Sequence, residues 1–127
     1  MKFLLDFHYS DTWADPANQT IPAAWQGTSQ AVLADSVYNY TLKIMNALKT
    51  KGCLPMMVQI GNETNSGFLW DKGRVGGSFD SNWPNYAALV KKAAEAVKTT
   101  DPAIKIMMHF AGTTGAGDTA TAAFLAT

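Results

Sequence analysis

The sequence predicts an α/β fold with parallel strands, because strand-length apolar runs alternate with two helical segments. The apolar runs cover residues 2–7, 56–60 and 104–109. An order of strand, helix, strand, helix, strand requires parallel strands joined by right-handed crossovers. The connections after the strands are long, whereas those from helix back to strand are short. Long loops at the carboxyl ends of parallel strands are where α/β proteins place their functional sites.

The first helix is predicted over about residues 28–51, and Gly52 stands where a glycine commonly ends a helix. Its apolar residues share one helical face at a spacing of three or four: Leu33, Val37, Tyr40, Ile44 and Leu48. The second helix is predicted over about residues 84–99. Ser81 or Asn82 is expected to cap its start, with Pro84 in the first turn. Its apolar face is formed by Tyr86, Leu89, Ala93 and Val97.

The composition is that of a folded protein and excludes several kinds of partner. The chain has 127 residues, of which 47% are hydrophobic and 16% charged, and ten basic residues balance ten acidic ones. A neutral chain without basic runs gives no electrostatic reason to bind nucleic acid or an anionic membrane. Cys53 is the single cysteine, which excludes an intrachain disulfide, and we expect it to be a small buried hydrophobe.

The extent of the chain predicts a fragment of a larger domain. No apolar run approaches a membrane span of about 18 residues, and Asp6 interrupts the start before a signal peptide can form. The chain opens directly on a strand, and residues 118–127 have the pattern of a capped helix of about two turns. Three strands with two and a half helices do not cover both faces of a parallel sheet.

Asn62 and Glu63 follow the second strand and are the first candidates for chemistry. A carboxyl group at the end of a buried parallel strand is partly removed from water, which suits a general acid. The neighbouring amide can both donate and accept, so it can hold a substrate hydroxyl. The alternative is a glutamate on an ordinary loop, where it caps a helix or is solvated.

The first loop, residues 6–16, is dense in ionisable and aromatic side chains. Asp11 or Asp15 could cap turns, and Asp6 could anchor the neighbours of the strand. His8 could be a metal ligand, but His109 is the only other histidine and no second histidine lies at ligand spacing. The sequence therefore predicts neither a metal site nor a cofactor.

Aromatic residues in or beside the loops suggest a surface for sugars. Flat rings with a polar edge can stack on sugar rings, although the same residues can also pin long loops to the fold. As a set on one face they favour a carbohydrate groove: Trp13, Trp25, Phe68, Trp70 and Trp83. The glycine segments GRVGGS and GTTGAG lack the Gly-Lys-Ser/Thr of a phosphate-binding loop, so a nucleotide binder is a remote alternative.

Two motifs carry a resemblance to a known family. The segment DFHYSDTWADP at residues 6–16, followed by Gln19, Pro22 and Trp25, resembles the third-strand region of glycoside hydrolase family 53. The segment VQIGNE at residues 58–63, followed by GFLW at 67–70 and Gly73-Arg74, resembles the fourth-strand region of the same family. The members of this family are the arabinogalactan endo-β-1,4-galactanases. The similarity covers roughly residues 3–109.

The resemblance implies a fold and a division of roles. The expected fold is a partial (β/α)8 TIM barrel, about strands 3 to 5 with their helices, in which residues 1–127 are a fragment of one catalytic barrel. Glu63 would be the general acid/base of a retaining hydrolase, and Asn62 would bind the 2-hydroxyl of the sugar. The nucleophilic glutamate would come from strand seven, which residues 1–127 do not include. The cleft would be shaped by His8, Asp11, Trp13 and Trp70, with His109 at the end of the fifth strand.

The implied substrate is the β-1,4-galactan of arabinogalactan and pectin, and the implied whole enzyme is monomeric, secreted and free of cofactors. The chain departs from the family pattern at three places. Thr64 follows the glutamate in place of an aliphatic residue, Asp71 replaces a frequent proline, and Phe110-Ala111-Gly112 follows His109 where Asp-Asn is expected. The alternative from a different class is a small α/β carbohydrate-binding or interaction module without catalysis.

Overall fold

Three parallel strands and two long helices alternate along the chain, as the sequence predicts. The computed structural model describes residues 2–112, 121–122 and 124–126. The strands are β1 (Leu4–Phe7), β2 (Met57–Ile60) and β3 (Lys105–Met107), and the helices are α1 (Gln30–Thr50) and α2 (Trp83–Thr100). The sheet has the order β1-β2-β3, with Leu4 opposite Met57 and Met57 opposite Lys105. The last strand is shorter than the predicted run, since it ends two residues before His109.

Helix α1 begins and ends where its sequence predicts. The Ser29 side chain accepts a hydrogen bond from the Val32 backbone N–H at 3.3 Å, which caps the first turn. Gly52 follows with a φ of +66°, a conformation that glycine adopts at little cost. The predicted apolar face is correct at Leu33 and Val37, which are fully buried, but Tyr40 is 44% exposed. The buried face continues through Thr41 and Met45 instead.

Helix α2 has the predicted buried face but not the predicted cap. Tyr86, Leu89, Ala93 and Val97 are all fully buried, and a proline lies in the first turn. The expectation that Ser81 or Asn82 caps this helix is wrong. Residues Gly77–Asn82 form a 3-10 helix that runs directly into α2, so Asn82 already has helical backbone angles. Its side-chain amide donates instead to the Asp71 carbonyl at 3.1 Å.

The hydrophobic core lies between the sheet and the helices and extends into the loop after β2. Val58 and Ile60 of β2 are fully buried, as are Phe68 and Leu69 of that loop to within 1%. The expectation of a buried Cys53 is wrong, because the residue lies in the exposed turn that follows α1, with its thiol 3.5 Å from the Leu48 carbonyl. Within the described ranges, no helix is long and apolar enough to span a membrane.

The predicted terminal helix lies partly outside the described residues. Its expected cap at Asp118 falls there, whereas Thr121, Ala122, Phe124 and Leu125 are helical. The Phe124 ring packs edge-on against Tyr86 of α2, with the ring centroids 5.7 Å apart.

Candidate active site

The carboxyl ends of the three strands bring the candidate residues to one edge of the sheet. Phe7 of β1 is opposite Ile60 of β2, and Gln59 is opposite Met107 of β3. The residues that follow these strands are therefore neighbours: His8 after β1, Asn62 and Glu63 after β2, and His109 after β3. Strand order and register alone place these four side chains within one region.

The backbone of the loop after β2 is held by both neighbouring strands. The Gly61 N–H donates to the Phe7 carbonyl at 2.9 Å, and the Thr64 N–H donates to the His109 carbonyl at 2.9 Å. Gly61 has a φ of +75°, and a Cβ at this position would lie 2.5 Å from the Thr64 methyl carbon, so only glycine fits. These two backbone hydrogen bonds therefore hold the chain on either side of Asn62 and Glu63.

Glu63 has an unusual backbone conformation. Its φ is +50°, in the left-handed region that residues with a Cβ rarely adopt. Such a conformation costs about 1–3 kcal/mol and persists where the surroundings hold it. The side chain is half-buried, and among the described residues no donor bonds its carboxylate. The Glu63 carboxyl group therefore lies at the end of a buried strand and has no bonded donor among the described residues.

The Asn62 side chain is oriented by a network that also fixes its amide assignment. The Ala14 carbonyl can only accept, so the Asn62 amide nitrogen, 2.9 Å away, must donate to it. Gln59 Nε2 similarly donates to the Gly61 carbonyl at 3.0 Å and to Asn62 Oδ1 at 3.3 Å. Because Asn62 Oδ1 is an acceptor, His109 Nδ1, 3.0 Å away, must carry the hydrogen.

This network leaves defined groups for a ligand. One Asn62 amide hydrogen is bonded to the Ala14 carbonyl, so the second is available to a substrate hydroxyl. A His109 ring whose single hydrogen is on Nδ1 presents Nε2 as an acceptor. Gln59 is a buried participant that the sequence analysis did not select, because a polar residue within an apolar strand has no local signature of its role.

His8 is held by Asp6 of β1. The His8 Nε2 and Asp6 Oδ2 atoms are 3.0 Å apart, and both side chains are about 70% buried. Removal from water raises the pKa of the Asp6 carboxyl, although the adjacent His8 acts in the opposite direction. The expectation that Asp6 could anchor its neighbours agrees with this contact, which directs the other ring nitrogen of His8 away from Asp6.

Trp13 and Trp70 are placed differently from each other. Trp13 is 71% exposed, and its ring centroid lies 5.2 Å from that of His8. Trp70 is half-buried, because its indole N–H donates to the Ser66 carbonyl at 2.8 Å and the Arg74 guanidinium lies 4.3 Å over its ring. One face of Trp70 is therefore covered, while Trp13 is open for stacking.

Asp11 is engaged in structure. Its Oδ2 accepts the Ala23 backbone N–H at 2.8 Å, at the start of the 3-10 turn Ala23–Trp25. This contact corresponds to the turn-capping alternative of the sequence analysis. Asp15 caps a turn as well, since its Oδ1 accepts the Ala17 N–H at 2.8 Å.

The five loop aromatics do not form one groove. Phe68 is fully buried and packs edge-on against Tyr86, with the ring centroids 5.7 Å apart. Trp25 and Trp83 are partly buried against the hydrophobic core. The prediction of a set on one face is wrong for Phe68, because the loop after β2 folds into the hydrophobic core. Trp25 lines a pocket together with His8 and Asp11, so Trp13, Trp25 and Trp70 are aromatic candidates for the cleft among the described residues.

Two other kinds of site were weighed from the sequence, a metal site and a nucleotide-binding loop. In the described part of the chain, no three His, Cys, Asp or Glu side chains come together as a possible metal site. The GTTGAG segment lies almost entirely outside the described residues. In place of the Asp-Asn expected after His109, the Asn65 side chain bonds both backbone groups of Ala111, at 2.7 and 2.8 Å.

Comparison with known proteins identifies the family. A family model described as glycosyl hydrolase family 53 matches residues 1–126. The chain belongs to glycosyl hydrolase family 53. An arabinogalactan endo-β-1,4-galactanase from Thermothelomyces thermophilus is 47% identical over 107 residues, which are 83% of this chain and 30% of that protein. The chain thus spans about 30% of the length of this curated relative.

Solved structures of the same family confirm the fold. The Ignisphaera aggregans GH53 catalytic domain matches with a TM-score of 0.81 and 46% identity, over 87% of this chain and 29% of that one. A structure from a study of two fungal β-1,4-galactanases matches with a TM-score of 0.85 and 40% identity, over 99% and 37% of the two chains. The three strands and their helices are therefore part of a (β/α)8 barrel.

Proposed function

We propose that residues 1–127 are part of the single catalytic barrel of an endo-β-1,4-galactanase, and that Glu63 is its general acid/base. The observation that carries this proposal is the half-buried Glu63 carboxyl group at the end of β2, which has no partner among the described residues and lies beside the anchored Asn62. The substrate would be the β-1,4-galactan of arabinogalactan and pectin. Because such a polymer does not enter cells, the whole enzyme would act outside the cell.

The proposed mechanism is double displacement with retention. Glu63 protonates the leaving glycosidic oxygen while a second carboxylate attacks the anomeric carbon, and Glu63 then removes a proton from the water that releases the sugar. The available Asn62 amide hydrogen binds the 2-hydroxyl, and Trp13 offers an open ring for stacking on a sugar. His8, Trp70 and His109 complete the walls of the cleft, and Asp11 holds the loop that carries Trp13.

The second carboxylate has to lie about 5–5.5 Å from Glu63 in a retaining enzyme. Asp6 of β1 contacts His8, and in the first two loops Asp11 contacts the Ala23 N–H and Asp71 contacts Arg74 at 3.5 Å. The family resemblance implies that the nucleophile is instead a glutamate of another barrel strand of the whole enzyme.

The test compares the two glutamates of this chain in the full-length enzyme. Glu63→Gln keeps the size of the side chain but removes its acid, so turnover of galactan should fall by about 10²–10⁴-fold. Glu95→Gln is the matched control, because Glu95 is exposed on α2, where its carboxylate pairs with Lys92 at 3.2 Å. It should leave turnover unchanged. Equal turnover by wild-type enzyme and Glu63→Gln would end the assignment.

A further inference from the structure

We propose that Gln19 is a positioning residue for Glu63, and that its buried side-chain amide fixes the peptide unit that joins Asn62 to Glu63. The inference rests on the proposed role of Glu63 as general acid/base. Gln19 lies in the middle of the long loop after β1 and is only 2% exposed. Gln19 is part of the motif that carries the family resemblance, but the sequence analysis assigns it no role.

The side chain of Gln19 connects the two long loops. Its Nε2 atom lies 2.8 Å from the Asn62 carbonyl and 3.0 Å from the Asp15 carbonyl. Both partners can only accept, so the NH₂ end of the amide must face them and each of its hydrogens has one acceptor. The orientation of this buried amide is therefore determined by its surroundings.

The bond to the Asn62 carbonyl acts on Glu63 through the planarity of the peptide. The Asn62 carbonyl and the Glu63 N–H belong to one rigid plane, whose orientation sets the φ angle of Glu63. That angle is +50°, so the plane has to be held against the tendency of a residue with a Cβ to leave this region. Gln19 donates to the Asn62 carbonyl oxygen, which lies in this peptide plane.

Gln19 is itself held in place by its own loop. Asp15 and Asn18 exchange two backbone hydrogen bonds, at 3.0 and 3.1 Å, which close a tight turn directly before Gln19. The Gln19 carbonyl accepts the Trp70 N–H at 2.8 Å. In the reverse direction, the Asn62 side chain donates to the Ala14 carbonyl at 2.9 Å. Each loop thus holds the other, and within this clasp the Gln19 amide bonds the carbonyl of the peptide unit that precedes Glu63.

A positioning role and a purely structural role predict different kinetics. A structural residue would lower the fraction of folded enzyme without changing the chemistry of the folded molecules. A residue that aims the general acid should lower kcat on galactan, whose leaving group needs a proton. It should have much less effect on kcat/KM for a dinitrophenyl β-galactobioside, because kcat/KM reports only the first displacement and this leaving group departs without a proton.

The experiment uses the full-length enzyme with Gln19→Met, which keeps the length of the side chain and removes both donors. We expect kcat on galactan to fall about tenfold to hundredfold, with KM changed by less than about threefold. The kcat/KM for the aryl substrate, which does not include the base-assisted second displacement, should stay close to the wild-type value. Gln26→Leu is the matched control, since Gln26 is an exposed glutamine of the same loop whose Nε2 lies 3.4 Å from the Ile21 carbonyl, and kcat/KM for both substrates should stay unchanged.

A second comparison separates this inference from the proposed function. In the Glu63→Gln background, Gln19→Met should have little further effect on galactan turnover, because the group that it positions is gone. Loss in Glu63→Gln but not in Gln19→Met would overturn the positioning role alone. No loss in Glu63→Gln would overturn the proposed function itself. An equal loss of kcat/KM on both substrates in Gln19→Met would show a structural role and overturn the inference.

If Gln19→Met does not fold, the same measurements are made with Gln19→Asn. This variant retains an amide but is one methylene too short to reach both carbonyls, so the same selective loss on galactan is expected. If folded Gln19→Asn had the wild-type ratio of kcat/KM on galactan to kcat/KM on the aryl substrate, the inference would be overturned.

Discussion

Thr64 shows how a single departure from the family pattern is accommodated. The residue is fully buried, yet its hydroxyl group lies 2.8 Å from the Tyr86 hydroxyl on α2. Burial raises the pKa of Tyr86, so this phenol stays neutral and is suited to a hydrogen bond between two hydroxyls. The pair ties the residue after Glu63 to the helix that supports the loop.

We predict that Thr64→Val destabilises the full-length enzyme by about 1–3 kcal/mol, because it leaves the buried Tyr86 hydroxyl without this partner. The double variant Thr64→Val/Tyr86→Phe removes both hydroxyls and should recover most of that loss. Urea unfolding measures each free energy. Thr50→Val, at the exposed end of α1, is the control and should change stability little. A double variant as unstable as Thr64→Val would contradict the prediction.

At the residue scale, some of the site could be predicted and some could not. The position of Asn62 and Glu63 at one edge of the sheet was predictable, because a buried strand ends directly before them. The contacts of Gln19 were not, since one of its carbonyl partners is 43 residues away and long-range loop contacts leave no periodic pattern. Phe68 resembled a loop aromatic for the same reason, although its loop folds into the core.

At the scale of elements, the two helices were the most predictable parts of the fold. Their apolar residues recur with the helical period over about four turns in α1 and about three in α2, so the existence of each helix was clearer than its exact bounds. The boundaries depended on local detail. Ser29 is a true cap, whereas Asn82 is not, because a 3-10 helix before α2 gives Asn82 helical backbone angles.

The cap of α1 gives a prediction for a single element. Ser29→Ala should lower the free energy of unfolding of the full-length enzyme by about 1 kcal/mol, since the Val32 N–H loses its acceptor. Chemical denaturation measures the difference. Ser36→Ala is the control within the same helix, because the Ser36 hydroxyl donates to the Val32 carbonyl and caps no terminus. A loss in Ser36→Ala equal to that in Ser29→Ala would refute the capping role.

At the scale of the whole molecule, the sheet has two outer strands. In the described structure β1 and β3 each pair with β2 alone, and Leu4 of β1 is 42% exposed. In a closed barrel each strand has two neighbours, so unpaired edges of this kind do not occur. Residues 1–127 alone should therefore present surfaces that the whole barrel covers.

We predict that the 127-residue chain produced alone does not hydrolyse galactan and self-associates through these edges. Leu4→Lys should reduce the association, because a charge on an edge strand opposes further pairing. Light scattering measures the association, and release of reducing ends measures hydrolysis. Val32→Lys, at an exposed position on α1, should leave the association unchanged. A monomeric wild-type chain that unfolds cooperatively would contradict this prediction, and saturable galactan binding by it would favour a non-catalytic binding module.

The hydrogen bonds that join the loop after β1 to the loop after β2 also bear on recombination between relatives. Residues 8–22 supply the carbonyls of Ala14 and Gln19, and residues 61–76 supply the donors that meet them. If the crossover point of a chimaera lies in α1, the loop after β1 and the loop after β2 come from different parents. The residues that form the hydrogen bonds between the two loops are then no longer matched to each other. A donor enzyme should therefore contribute both loops together, as one exchangeable cassette, with its breakpoints before β1 and within α2.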